Sequence, residues 1–96
     1  MLKSISILEL LPNIDKVKLI DIRSVAKYND NHIPNAININ PENLVANPSK
    51  YINKNEKYYL YCQKGITSRK IAQILNVKGY DVVNIQGGYE SWLLEK

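Results

Sequence analysis

The 96-residue chain predicts an α/β fold, a central and mostly parallel β-sheet with helices on both faces. Two observations lead there. Runs of strand length alternate with helical stretches along the whole sequence, and no two of them are joined by a two-residue hairpin turn. Parallel strands need crossovers, and crossover helices cover a sheet on both sides. A third observation places the chemistry: the run Tyr58-Tyr59-Leu60-Tyr61 opens directly on Cys62, the only cysteine. In open α/β sheets ligands bind in the crevice beyond the carboxyl ends of the strands.

The elements follow in order. Leu2 to Ile5 reads as a short strand. Ser6-Ile7-Leu8-Glu9 has the form of a capping box and starts a helix through Leu11 that Pro12-Asn13 stops. Val17 to Ile22 is rich in β-branched and aliphatic residues and reads as a strand. Ser24 caps a second helix to about Tyr28, and Asn29-Asp30-Asn31 is loop chemistry. His32-Ile33-Pro34-Asn35 is a turn, since the residue before proline is pushed out of helical space. Ala36 to Ile39 is a short strand. Asn40-Pro41-Glu42 then starts a third helix, Asn as cap and Pro at the first position, which fades at Asn47-Pro48. Ser49 to Ile52 adds a turn. Lys57 to Tyr61 is the strand that feeds the cysteine. From Thr67 to Val77, Ile71, Ile74 and Leu75 mark one apolar helix face, and Gly79 ends that helix. Asp81 to Ile85 is the last strand, Gly87-Gly88 the last loop, and Tyr89 to Leu94 a closing helix anchored by Tyr89 and Trp92.

Composition narrows the class. Residues 1–96 make one domain, with an ordinary 45% apolar and 23% charged content. Seven Tyr and one Trp supply all the aromatic bulk, since Phe is absent. A single cysteine forms no internal disulfide, and no long apolar run or leader-like start is present, so a reducing cytoplasm is the expected setting. The net charge of +4 is spread among scattered lysines without a basic arm, which argues against nucleic acid. Lys64, Arg69 and Lys70 beside Cys62 suit a small anionic substrate instead.

The segment Cys62 to Ser68 is the candidate site. A thiol at a strand end facing a helix start lies where backbone N–H groups and the helix dipole favour thiolate, the reactive form. Gly65 permits a left-handed step that lets successive N–H groups of Gln63, Lys64, Gly65, Ile66, Thr67 and Ser68 turn inward around an anion. Thr67 and Ser68 add hydroxyls, one of which can cap the helix. The plainer alternatives are a small buried thiol and an ordinary strand–helix connection.

Five segments in register resemble the rhodanese family over nearly the whole chain. They are Asp21-Ile22-Arg23; Tyr28 with His32-Ile33-Pro34-Asn35-Ala36-Ile37-Asn38-Ile39; Tyr61 to Ser68; Gly79-Tyr80-Asp81-Val82; and Gly87-Gly88-Tyr89-Glu90-Ser91-Trp92. The resemblance implies a rhodanese-like fold and sulfurtransferase activity without a cofactor or metal. Cys62 would take the outer sulfur of a donor such as thiosulfate, hold it as a persulfide, and pass it to a thiol or cyanide. The N–H groups from Gln63 to Ser68 would hold the anions. A lone domain of this size is expected to be a monomer or weak dimer, and a persulfide shuttle between partner proteins is the reading midway between enzyme and binding module.

Two departures from the family pattern stand out. Thr67 replaces the commonest loop arginine, leaving Lys64 or Arg69 as the nearest cation; Asn31 and Asn35 replace glycines, and Asn tolerates left-handed geometry best among the rest. A phosphatase needs Cys, five residues, then Arg, but position 68 is Ser and Arg69 is one residue late. An arsenate reductase would need a second cysteine. The rival from another class is a partner-binding module without catalysis. Asp21, Arg23 and His32 read as structural hydrogen-bonding groups, since transfer to a ready thiolate needs no general base.

Overall fold

The computed structural model describes residues 3–96. The described chain runs β1 (Lys3–Ile5), α1 (Ile7–Leu10), β2 (Lys18–Asp21), α2 (Val25–Asp30), β3 (Ile37–Asn38), α3 (Pro41–Ala46), β4 (Lys57–Tyr61), α4 (Ile66–Val77), β5 (Asp81–Ile85) and α5 (Gly88–Glu95). The start of the first expected strand, Leu2, lies outside the described residues. The expected strands from Lys57 and from Asp81 match β4 and β5 end to end. Among the described residues the sheet has five strands in the order β1-β5-β4-β2-β3, and every pairing is parallel.

Local chemistry explains most boundaries. Ser6 and Glu9 form the expected capping box, the Ser6 Oγ accepting from the Glu9 N–H at 3.2 Å. Pro12 does not end the chain's helical path but continues it as a 3-10 turn, Leu11–Asn13, because proline in the first turn gives up no bond. Ser24 and Asn40 cap α2 and α3 as expected. α2 runs two residues past Tyr28 to Asp30.

Of the two asparagines at glycine-like positions, only Asn35 is left-handed, with φ of 73°. Asn31 is extended and makes no such demand.

The sheet divides the core into two layers. On one face α1 and α5 close over Leu19, Tyr61 and Ile85, with Ile7, Leu10, Tyr89 and Trp92 filling the space; Tyr89 and Trp92 are the expected anchors. On the other face Leu44 of α3 and Ala72 and Leu75 of α4 close over Ile20, Leu60 and Val82. Strand alternation sorts β4 accordingly: Tyr58, Leu60 and Cys62 face α3 and α4, while Tyr61 faces α1 and α5. The expected apolar face of α4 is met at Leu75 and Ile71 but not at Ile74. Ala72 and Leu75 are buried with Ser68, Ile71 is half-buried, and Ile74 faces outward. No helix among the described residues is long and apolar enough to cross a membrane.

Candidate active site

Cys62 leaves the sheet from its central strand, β4, which pairs with β2 on one side and β5 on the other. The chain then turns through Gln63, Lys64 and Gly65 into α4. Gly65 has φ of 89° and is the N-cap, so the cap residue itself has no side chain to offer. That corrects the expectation of a capping hydroxyl from Thr67 or Ser68, because α4 begins at Ile66, ahead of both. The cap acceptor is sulfur. Cys62 Sγ accepts the N–H of Gly65 at 3.1 Å and that of Ser68, third residue of the helix, at 3.3 Å. A helix leaves its first N–H groups without internal partners, and here a thiol from the preceding strand end takes two of those donors.

Ser68 is fully buried, and its Oγ lies 3.3 Å from Cys62 Sγ and 2.6 Å from Asn84 Oδ1 of β5. With the thiol protonated, S–H donates to the serine hydroxyl and the hydroxyl donates to the Asn84 amide oxygen. With the thiolate formed, rotation of the same hydroxyl turns its proton onto sulfur. Burial is the largest single influence on the Cys62 thiol and pushes its pKa up. The donors from Ser68 Oγ and from the N–H groups of Ser68, Gly65 and Lys64 together outweigh it, and the thiol ionises below its ordinary value. Ser68→Ala removes the first of those donors, so the midpoint of alkylation rate against pH is expected to move up. A pH–rate profile with iodoacetamide checks it.

A second loop locks the first. Gly87 and Gly88 turn β5 into α5 with φ of 74° and 60°. The N–H groups of Tyr89 and Glu90 then donate to the carbonyls of Cys62 at 2.9 Å and Gln63 at 3.1 Å. A Cβ on Gly65 would stand 2.8 Å from the Gly87 nitrogen. The two turns therefore pack backbone to backbone, which only glycine allows.

Above the sulfur lies a cleft of about 450 Å³ lined by Ile22, Arg23, Lys27, Cys62, Gln63, Lys64, Ile66 and Thr67. Its cations are not those the sequence suggested. Arg69 lines a different crevice, with Ser4, Asn84 and Gln86 behind the loop, and Lys70 lies along the outside of α4. Lys64 is joined instead by Lys27 and Arg23, which are far from Cys62 in sequence. Arg23 is buried in an ion pair with Asp21, its Nη2 donating to Oδ2 at 2.8 Å and its Nε at 3.0 Å. The same guanidinium lies 3.9 Å over the Tyr89 ring and donates to the Asn31 carbonyl at 2.6 Å.

The remaining expected residues divide cleanly. The Gln63 side chain accepts from Arg23 at 3.4 Å and donates to Glu90 at 3.3 Å. Ile66 and Thr67 sit exposed on the rim. His32 stacks on Tyr28 with ring centres 3.8 Å apart, its Nδ1 is 2.8 Å from the Tyr28 carbonyl, and it is absent from the cleft lining. The structural reading of Asp21, Arg23 and His32 matches these contacts. Sequence reasoning missed Asn84; an Asn within the strand Val82-Val83-Asn84-Ile85, where Asn is disfavoured, was the available signal. Among the described residues no group of His, Cys, Asp and Glu could hold a metal ion.

Comparison with known proteins agrees with this architecture. The family described as "Rhodanese-like domain" matches residues 5–95. The thiosulfate sulfurtransferase GlpE of Shewanella oneidensis is 35% identical over 77 residues, 79% of this chain and 75% of that protein. GlpE of Coxiella burnetii is 33% identical over 95 residues, 96% of this chain and 88% of that one. The crystal structure of a rhodanese-like domain protein from Staphylococcus aureus superimposes with a TM-score of 0.85 at 34% identity, covering 95% of this chain and 91% of that chain. Fold, sequence and the matched extent agree: the chain belongs to the rhodanese-like domain family.

Proposed function

We propose that the protein is a sulfurtransferase that carries sulfane sulfur as a persulfide on Cys62. The observation that carries this reading is the position of Cys62 Sγ as the cap acceptor of α4, 3.1 Å from the Gly65 N–H and 3.3 Å from that of Ser68. Cys62 thiolate attacks the outer sulfur of a donor such as thiosulfate. A sulfur–sulfur bond forms to Sγ, the donor's own sulfur–sulfur bond breaks, and sulfite leaves with the electron pair. An acceptor, cyanide or a thiolate, then attacks the outer sulfur, and Cys62 departs as thiolate into the same N–H groups. Charge is conserved in both steps, and neither requires a metal, a cofactor or a general base.

Electrostatic preorganisation suits both steps. The donors at Lys64, Gly65 and Ser68 are held by the helix start and by the Gly87-Gly88 turn, so they need no rearrangement when charge moves from sulfur to sulfur. Lys64 and Lys27 raise the local concentration of anionic donors, and Lys64 takes the place of the family's arginine in meeting a sulfonate. A cytoplasmic setting would keep the thiol reduced between turnovers.

Steady-state formation of thiocyanate from thiosulfate and cyanide tests the reading. Lys64→Ala is expected to raise KM for thiosulfate about two- to five-fold, the size of one exposed charge contact, with kcat changed little. Absence of thiocyanate above the uncatalysed rate, with thiosulfate and with an organic thiosulfonate, would count against the proposal.

A further inference from the structure

The cleft over Cys62 does not end at Thr67. This small residue also lines a second groove, where Pro41, Val45 and Ala46 of α3 face Ile71 and Ile74 of α4 across about 400 Å³, with Glu42 at the edge. Ile74 is shared in turn with a third hollow bounded by Lys70, Gln73, Val77 and Lys78. Each hollow shares one lining residue with the next, Thr67 and then Ile74, so the three line up as a trough from the thiol along α4.

The trough is more apolar than sulfur chemistry on small anions requires. Ile66 is 65% exposed, Ile74 39% and Val77 77%, on a helix face where an isolated domain would carry polar groups. From Ile66 to Val77 the helix rises about 16 Å, the length of about five extended residues. The charge around it is mostly positive. Its lining carries Lys64 near the thiol and Lys70 and Lys78 at the far end. Glu42 is the one acid in the lining, opposite those cations. An apolar floor with a basic border is complementary to an apolar segment with acidic flanks. Continuity with the Cys62 cleft means such a segment would deliver its own reactive group to the sulfur.

We propose that the trough from Thr67 to Val77 docks a protein sulfur acceptor through an extended apolar segment with acidic flanks that presents a cysteine to Cys62. The inference rests on the sulfurtransferase reading and names its acceptor class. The partner's thiol gives its proton to solvent, and its thiolate attacks the outer sulfur of the Cys62 persulfide. A sulfur–sulfur bond forms on the partner while the bond at Cys62 Sγ breaks, and Cys62 leaves as thiolate. The sulfane sulfur changes hands with no net oxidation.

Two synthetic peptides test it, each with one cysteine among leucines, one flanked by aspartates and the other by lysines. Binding is measured with the cysteine replaced by serine, by amide chemical-shift mapping on the full chain, so it does not depend on sulfur transfer. The acidic peptide is expected to shift residues of α3 and α4 along the trough. It should bind about tenfold tighter than the basic one at low salt and lose that preference as salt rises. Lys70→Glu combined with Val77→Asp should erase the preference and the acceleration of transfer to the acidic cysteine peptide, with transfer to cyanide unchanged. Equal binding of the two peptides, shifts elsewhere on the surface, or a preference that survives the double substitution would overturn the docking proposal. Loss of transfer to cyanide in the unaltered protein would instead overturn the sulfurtransferase reading.

Discussion

Gly88→Ala is expected to destabilise the protein by about 3 kcal/mol and to slow sulfur transfer by about a hundredfold or more. Gly88 is left-handed, with φ of 60°, so any Cβ adds backbone strain. Steric exclusion matters more. The added carbon would collide with the Cys62 carbonyl, and it would lie 2.8 Å from the Gly65 nitrogen and 2.9 Å from the Gln63 carbonyl carbon. All three neighbours are backbone of the loop that holds the sulfur, so relief requires moving the N–H groups off Cys62 Sγ. Gly79→Ala is the control. It also has a positive φ, of 96°, but its Cβ would meet only the Lys54 side chain, at 3.5 Å. That substitution should lose about 1 kcal/mol and keep the transfer rate. Urea denaturation and single-turnover transfer, measured on both variants, separate strain from damage to the loop.

Asp21→Ala is expected to destabilise by about 3–5 kcal/mol, the largest effect of any single substitution considered. The Asp21 side chain is fully buried and that of Arg23 is 4% exposed. Removing the carboxylate strands a guanidinium that holds three other contacts together: the Asn31 carbonyl, the Tyr89 ring and Gln63. The Asp21 Oδ1 also accepts the Arg23 N–H at 2.7 Å, closing the turn after β2. For a domain of this length the loss corresponds to a fall in Tm on the order of 15–30 °C. A fall of only a few degrees in calorimetry would mean that the pair does not organise the carboxyl edge of the sheet.

The fold was legible wherever local chemistry decides it. Ser6, Ser24, Asn40 and Pro41 announce helix starts because side-chain caps act within a few residues. The strands from Lys57 and Asp81 were read end to end because β-branched and aromatic runs stop abruptly at polar loops. Strand order was not legible. Parallel partners such as β1 and β5 are distant in sequence, and only three-dimensional packing chooses them. On the inward stripe of α4, Leu75 and Ile71 pack as expected and Ile74 departs for a related reason. Ser68 and Ala72 are buried because the sulfur and the sheet lie beneath them, while Ile74 is pushed outward onto the trough. Hydrophobicity alone would assign the reverse.

The candidate site shows the same division. Cys62 and its glycine-turned loop stand out from sequence because one continuous stretch carries them. Lys27, Arg23 and Asn84 do not, since β2, α2 and β5 bring them to the loop only through the sheet. Arg69 shows the converse: next to the loop in sequence, it is turned to the crevice behind it. The N–H groups around the thiol were anticipated from its place before a helix, whereas the absence of a Thr67 or Ser68 cap was not, because the exact first residue of a helix is not fixed by local sequence.

If Cys62 carries the sulfur, the mass of the intact protein records it. After incubation with thiosulfate, or with cysteine and a desulfurase, the protein is expected to gain about 32 Da, one sulfur atom. Cyanide or dithiothreitol should remove the added mass, and Cys62→Ser should never acquire it. A wild-type protein that gains no mass from either donor, or a Cys62→Ser protein that still does, would contradict the account.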